Sequence, residues 1–161
     1  MQDVMMNPML STWSWFEKAT PNPSDRNRNT QLGCHLEEVA EMLEELITFD
    51  EDAGEAPSED EIEIASTLSA ISELAEKLKT GKIQINYEKI NRKNLLDSLL
   101  DQIVTAIGVA HHNRMNPVDG LNEVNASNWS KFDTNGEPIR DHNQKIIKGP
   151  NYRKAVLDPF V

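Results

Sequence analysis

The sequence predicts an all-α protein, a helical bundle followed by a short C-terminal β-hairpin and an extended tail. Three observations carry that prediction. Apolar residues recur at three- and four-residue spacing through successive segments. Capping and breaking residues stand where those segments start and stop. Past Phe132 the pattern gives way to turn chemistry. With 161 residues the chain has the length of one ordinary domain. Only 38% of residues are hydrophobic and 27% are charged, so the apolar residues must be gathered on faces, which amphipathic helices do well.

Within a single domain 1–161, residues 1–29 are expected to be an N-terminal docking segment, 30–132 the helical core, and 133–161 the hairpin and tail. In the first part, Leu10, Trp13 and Phe16 stand at helical spacing and stop at Thr20, Pro21 and Pro23, the pattern of a short lid or docking helix. From Thr30, the residues Leu32, Leu36, Val39, Leu43, Leu46 and Ile47 paint one stripe on a helix that ends near Thr48 to Asp50. The acidic run to Pro57 has almost nothing to bury and reads as a solvated loop. Ser58 with Glu61 forms a capping-box pattern, Ile62 to Leu78 carry the stripe of a second core helix, and Gly81 stops it. A third long helix is expected from about Tyr87 to Met115. Leu95, Leu96, Leu99, Leu100, Ile103, Val104 and Ile107 make its middle apolar nearly all round, which implies burial on more than one side and suggests packing between two subunits. A fourth helix follows Pro117, from about Val118 to Phe132. Beyond it, Asn135-Gly136, Pro138 and Gly149-Pro150 surround short runs such as Ile146-Ile147, the expected hairpin.

The charge balance excludes some functions. Sixteen basic against 27 acidic residues leave a net charge of -11, so neither a nucleic acid polymer nor an anionic membrane is an expected partner. Cys34 is the only cysteine, which rules out an intrachain disulfide and reads as a buried, reduced thiol. Asp3 and Pro8 break up the Met-rich start, which does not read as a signal peptide, and no run approaches the ~20 apolar residues of a membrane span. A soluble, cytoplasmic protein is expected.

On a helix turning about 100° per residue, Glu37, Glu38 and Glu41 share a flank beside the apolar stripe. Like charges at i,i+3 and i,i+4 repel unless a cation sits between them. Alone, the flank also reads as a solvated acidic face, since Glu44 and Glu45 continue it. Asp97 and Asp101 lie one turn apart within the apolar third helix, where acids need partners. Carboxylates from two helices would form the all-oxygen cage that Mg²⁺ or Mn²⁺ prefers. Asn125, Asn128 and Lys131 recur every third residue on the fourth helix, a candidate phosphate-facing strip with ordinary surface placement as its alternative. Lys145 and Lys148 stand out in an acidic chain as candidates to close over phosphates, or as plain surface lysines.

Taken in order, Gln31-Leu32-Gly33-Cys34-His35-Leu36-Glu37-Glu38-Val39-Ala40-Glu41-Met42, Asp97-Ser98-Leu99-Leu100-Asp101-Gln102 and Glu123-Val124-Asn125-Ala126-Ser127-Asn128-Trp129-Ser130-Lys131 resemble the MazG-like branch of the all-α NTP pyrophosphohydrolases. The tail from Lys145 to Tyr152 is similar to that of phage-type members, and the resemblance covers roughly residues 30 to 155. It implies a Mg²⁺-dependent enzyme that splits a nucleoside triphosphate into monophosphate and pyrophosphate, with Mn²⁺ as a substitute metal. Glu37, Glu38 and Glu41 match the family's EExxE motif, and Asp101 matches the last acid of its ExxD motif. The implied roles are Glu38, Glu41 and Asp101 as metal ligands and Glu37 as the base that orients or deprotonates water. The first ExxD position falls on Ser98, a departure that makes its neighbour Asp97 a candidate fourth ligand. Asn125, Asn128, Lys131, Lys145 and Lys148 would hold phosphate or sugar oxygens, and a homodimer or homotetramer is expected. The competing class is a nucleotide-binding or acidic interaction protein without turnover. A ferritin-like di-iron bundle is disfavoured, because the sequence contains no Glu-x-x-His pair.

Overall fold

The computed structural model describes residues 7–48, 54–141 and 146–161. Among them five α-helices follow in order: α1 (Pro8–Ala19), α2 (Asp25–Glu44), α3 (Glu59–Thr80), α4 (Arg92–His112) and α5 (Pro117–Trp129). Single 3₁₀ turns stand at Tyr87–Lys89 and Asp158–Phe160. The chain divides into two compact units, one formed by Pro23–Lys89 and the other by the residues to either side of it.

The Pro23–Lys89 unit is an antiparallel pair, α2 against α3. Each helix opens on a reciprocal capping box, Ser24 with Asn27 and Ser58 with Glu61. The first box starts α2 at Asp25, earlier than the apolar stripe indicates, because a cap is set by hydrogen bonding and not by hydrophobic spacing. Glu61 also accepts from the backbone N–H and the hydroxyl of Thr48 (3.0 and 3.1 Å), which ties the end of the α2 turn to the start of α3. Those bonds, the Ser58 N–H foremost, hold its carboxyl down at about 2. Gly81 ends α3 in the left-handed region (φ 77°) as its sequence position predicts.

Small residues bring the two helices together. Ala40, Ala75 and Leu78 are buried, and a Cβ at Gly33 would stand 2.7 Å from the Ala75 carbonyl oxygen. The helices therefore nearly touch backbone to backbone at that level. Buried Asn29 donates to the Ile83 carbonyl (2.9 Å) and accepts from the Tyr87 hydroxyl (2.8 Å), which folds the segment after α3 back onto α2.

In the other unit α1 packs on α5. Trp15 stacks on Phe132 (5.7 Å between centroids) and Trp129 meets the same ring edge-on (5.4 Å), contacts each worth about 0.5–1.5 kcal/mol beyond their burial. Both indole N–H groups are satisfied, Trp15 by the Asn128 carbonyl and Trp129 by the Ser11 hydroxyl. The tail packs on α5 as well, where Arg153 pairs with Glu123 and the Arg153 carbonyl accepts from Ser127.

One expectation is corrected here. In place of a C-terminal hairpin there is one antiparallel bridge, Arg140 with Ile146, and no strand among the described residues. The turn at Asp133 to Glu137 forms, with the Asp133 carboxylate accepting from the N–H groups of Asn135 and Glu137, but its flanks do not pair far enough to make a ladder. The burial expected of the third predicted helix is tied to packing between two subunits, and within a single chain that helix stays open among the described residues. No residue of α4 is buried, and Leu96 and Val104 are 58% and 67% exposed. Within its own unit α4 meets α5 at only a few positions, so its apolar rows lack a partner face. It also begins at Arg92, because Asn91 caps it and the 3₁₀ turn takes up Tyr87–Lys89. No described helix is long and apolar enough to cross a membrane.

Candidate functional site

Between α2 and α3 runs a groove of about 320 Å³. Buried Ala40 and Ala75 leave the space because they are too short to fill it, and Glu37, Glu41, Glu44, Ser72, Glu76 and Lys79 line it. Two of the three carboxylates singled out on α2 thus stand in one concave surface. Glu38, between them in sequence, is exposed on the adjoining flank.

Lys79 reaches across from α3. Its Nζ donates to Glu37 Oε1 at 2.6 Å and lies 3.4 Å from Glu76 Oε2. The Lys79 side chain is 19% exposed and that of Glu37 36%. The hydrogen bond to Glu37 holds the ammonium above the ordinary lysine value, against the opposing pull of burial. Glu76 and Lys79 were not singled out from the sequence, where α3 was read only for its apolar stripe. Their i,i+3 spacing was the available signal, but that spacing is common on solvated helix faces.

Asp97 and Asp101 both lie on exposed positions of α4, one turn apart. Within neither unit do three His, Cys, Asp or Glu side chains of the described residues converge as a ready metal cage. The donors themselves are all carboxylates, the chemistry a hard divalent cation selects.

The α5 strip separates into two roles. Asn125 is buried, its amide nitrogen donating to the Pro8 carbonyl (2.9 Å) and its oxygen accepting from Thr12 (2.9 Å), so both its polar ends hold α1 in place. One turn on, Asn128 and Lys131 meet each other, with Lys131 Nζ donating to Asn128 Oδ1 at 2.7 Å on a half-buried surface. Lys148 is exposed, with its ammonium 4.7 Å from the centre of the Tyr152 ring. The next residue, Gly149, lies so close to the carbonyls of Lys131 and Phe132 that a Cβ would stand 2.6 and 2.9 Å from them. That contact pins the tail beside the end of α5. Lys145 lies outside the described residues. Cys34, expected to be buried, is only half-buried on α2.

No family model matches the chain, and no curated protein matches it. Among solved structures, the chain is similar to a protein from Exiguobacterium sp. 255-15 named "putative NTP pyrophosphohydrolase". The two share 18% identity over 92% of this chain and 89% of that one, with a TM-score of 0.59. At that identity the likeness shows a common fold, an all-α one.

Proposed function

We propose that the chain is a metal-dependent nucleoside triphosphate pyrophosphohydrolase of the MazG-like, phage-type kind, converting an NTP or dNTP and water to the monophosphate and pyrophosphate. The observation that carries this reading is the α2–α3 groove, which gathers Glu37 and Glu41 of the EExxE motif on one concave face of a chain with this fold. Water attacks the α-phosphorus, the bond to the α–β bridging oxygen breaks, and pyrophosphate leaves. Glu37 orients the water and takes its proton. Glu38, Glu41 and Asp101, with Asp97 as a fourth, are the residues that would hold Mg²⁺ or Mn²⁺. The metal supplies neutralisation of the phosphate charge. Asn128 and Lys131 present an amide and an ammonium side by side, a pairing suited to a phosphate oxygen, and Lys145 and Lys148 would close over the same groups. Asn125 could join them only by releasing α1, since both its polar atoms are engaged there.

The partner is a nucleotide and not a nucleic acid polymer or a membrane, in keeping with the charge of -11, and the setting is the cytoplasm of a cell or phage host. Two rows on α4, Leu95-Leu99-Ile103-Ile107 and Leu96-Leu100-Val104, fit a second copy of the chain in a homodimer or homotetramer. Binding of a nucleotide without turnover is the second reading, favoured by Ser98 where the motif has an acid. Pyrophosphate release from a panel of NTPs and dNTPs, with and without EDTA, separates the two. Metal-dependent release establishes the hydrolase. Nucleotide binding with no release across the panel leaves the binder, and full activity in EDTA removes the metal from the scheme.

A further inference from the structure

We propose that Lys79 is a positioning residue for Glu37, holding one carboxylate oxygen so that the other faces the reacting water, and that Gly33 is the residue that admits it. The inference rests on the hydrolase reading and adds α3 to the catalytic site. Lys79 reaches Glu37 by running along the face of α2 past Gly33. A Cβ there would lie 2.6 Å from Lys79 Cγ and 3.1 Å from its backbone nitrogen. Absence of a side chain at position 33 opens the passage, and the ammonium emerges one helical turn further on, 2.6 Å from Glu37 Oε1.

Other lysines of the chain show what an ordinary ion pair looks like. Lys77 pairs with Glu73 along the same helix, 42% and 67% exposed, and Lys18 with Glu137 at 39% and 66%. Such pairs contribute little and select no geometry. The Lys79 side chain is more covered than either, spans two helices and ends in the groove. Glu37 Oε2 accepts no hydrogen bond among the described residues, which leaves that oxygen for a water in the groove. A carboxylate fixed at one oxygen has given up its rotational freedom in advance, and that preorganisation is what a base needs to hold a water in line. The ammonium also offsets the mutual repulsion of Glu37, Glu41 and Glu44 on α2.

The test is a double-mutant cycle on the full chain with saturating Mg²⁺, using Lys79→Met, Glu37→Gln and both together, with Lys79→Arg alongside. Lys79→Met is expected to lower kcat about 10- to 100-fold while KM stays within about threefold, because the loss lies in the reacting geometry and not in nucleotide binding. Lys79→Arg should recover much of that loss. In the Glu37→Gln background Lys79→Met should cost nothing further, since its action passes through Glu37. Losses that add in the double variant, or a kcat untouched by Lys79→Met, overturn the proposal while the hydrolase reading stands. Loss of the helical signal in Lys79→Met assigns the residue to packing and overturns it as well. A wild-type chain that releases no pyrophosphate overturns the hydrolase reading and takes this inference with it.

Discussion

The α2–α3 pair and α4 are built from opposite materials. The α2–α3 pair joins two strongly charged helices at Gly33, Ala40 and Ala75, where small side chains let backbones approach. Helix α4 carries two rows of leucine, isoleucine and valine, and none of its residues is buried. Apolar content alone therefore does not bury a helix. Burial needs a facing surface of matching shape, which α2 and α3 offer each other within one unit and which α5 offers α4 only in part. The same contrast separates the candidate site residues. The close-packed, small-residue pair leaves a groove with charged walls, whereas the apolar helix holds its two acids on open surface.

The largest effects are expected in the groove and on its flank. Glu38→Gln and Glu41→Gln should each reduce pyrophosphate release to near background, with far-ultraviolet dichroism and thermal midpoint close to wild type, because both side chains are exposed. A collapse of the helical signal would make them structural and erase the distinction between a working groove and an idle apolar helix.

A charge placed on α4 asks what its rows are for. Val104 is 67% exposed. If a second copy covers it, Val104→Glu buries an unpaired carboxylate at the interface, and light scattering should show the wild-type oligomer shifted to monomer at micromolar concentration. A wild-type chain that is already monomeric, or a variant with unchanged mass, would show that α4 is not a subunit interface.

How much of this was legible in the sequence follows the same division. The second capping box and the Gly81 stop were readable because they rest on bonds between residues a few positions apart. The acidic flank of α2 was readable because helical spacing fixes which side chains share a face. Lys79 was not, since its meaning lies in a partner 42 residues away. Nor was the commitment of Asn125 to α1, which needs the Trp15 and Phe132 stack to bring Pro8 and Thr12 within reach. The hairpin residues promised a ladder that does not form among the described residues, and the α4 rows promised burial that the helix's own unit does not supply. Periodicity reports what a segment can bury or pair, not whether its own unit supplies the other side.

The pair of helices also carries a pH signature. Glu61 is lowered from 4.5 to about 2 by the bonds it accepts from Ser58 and Thr48. A carboxyl depressed in the folded state stabilises it above the unfolded pKa, and that contribution fades as pH falls from about 4.5 through about 2. Glu61→Ala should therefore lower the thermal midpoint by roughly 2–4 °C at neutral pH, with the gap to wild type closing across that acid range. A gap that stays constant with pH would mean the carboxylate bonds contribute nothing to the pairing of α2 and α3.

The smallest expected effect decides whether α4 has any share in the chemistry. Asp97 and Ser98 are neighbours on α4, and the motif that the sequence resembles has an acid at the position of Ser98. Asp97 stands one turn before Asp101, so the two carboxylates can face the same cation, whereas a serine hydroxyl is a weak neutral donor to a hard metal. Both acids are exposed, so replacing either disturbs no packing, and the readout is the metal requirement itself. Asp97→Asn should raise the Mg²⁺ concentration for half-maximal rate several-fold, on the order of 3- to 10-fold, by removing one charged ligand of several. Ser98→Ala should leave that concentration within twofold or so of wild type. If Asp97→Asn instead follows the wild-type Mg²⁺ titration, Asp97 is a surface acid and the metal is held by Glu38, Glu41 and Asp101. Should Asp101→Asn follow it too, α4 contributes no ligand, and the contrast between the two regions becomes complete, with α2 and α3 carrying the reaction and α4 serving only to pack.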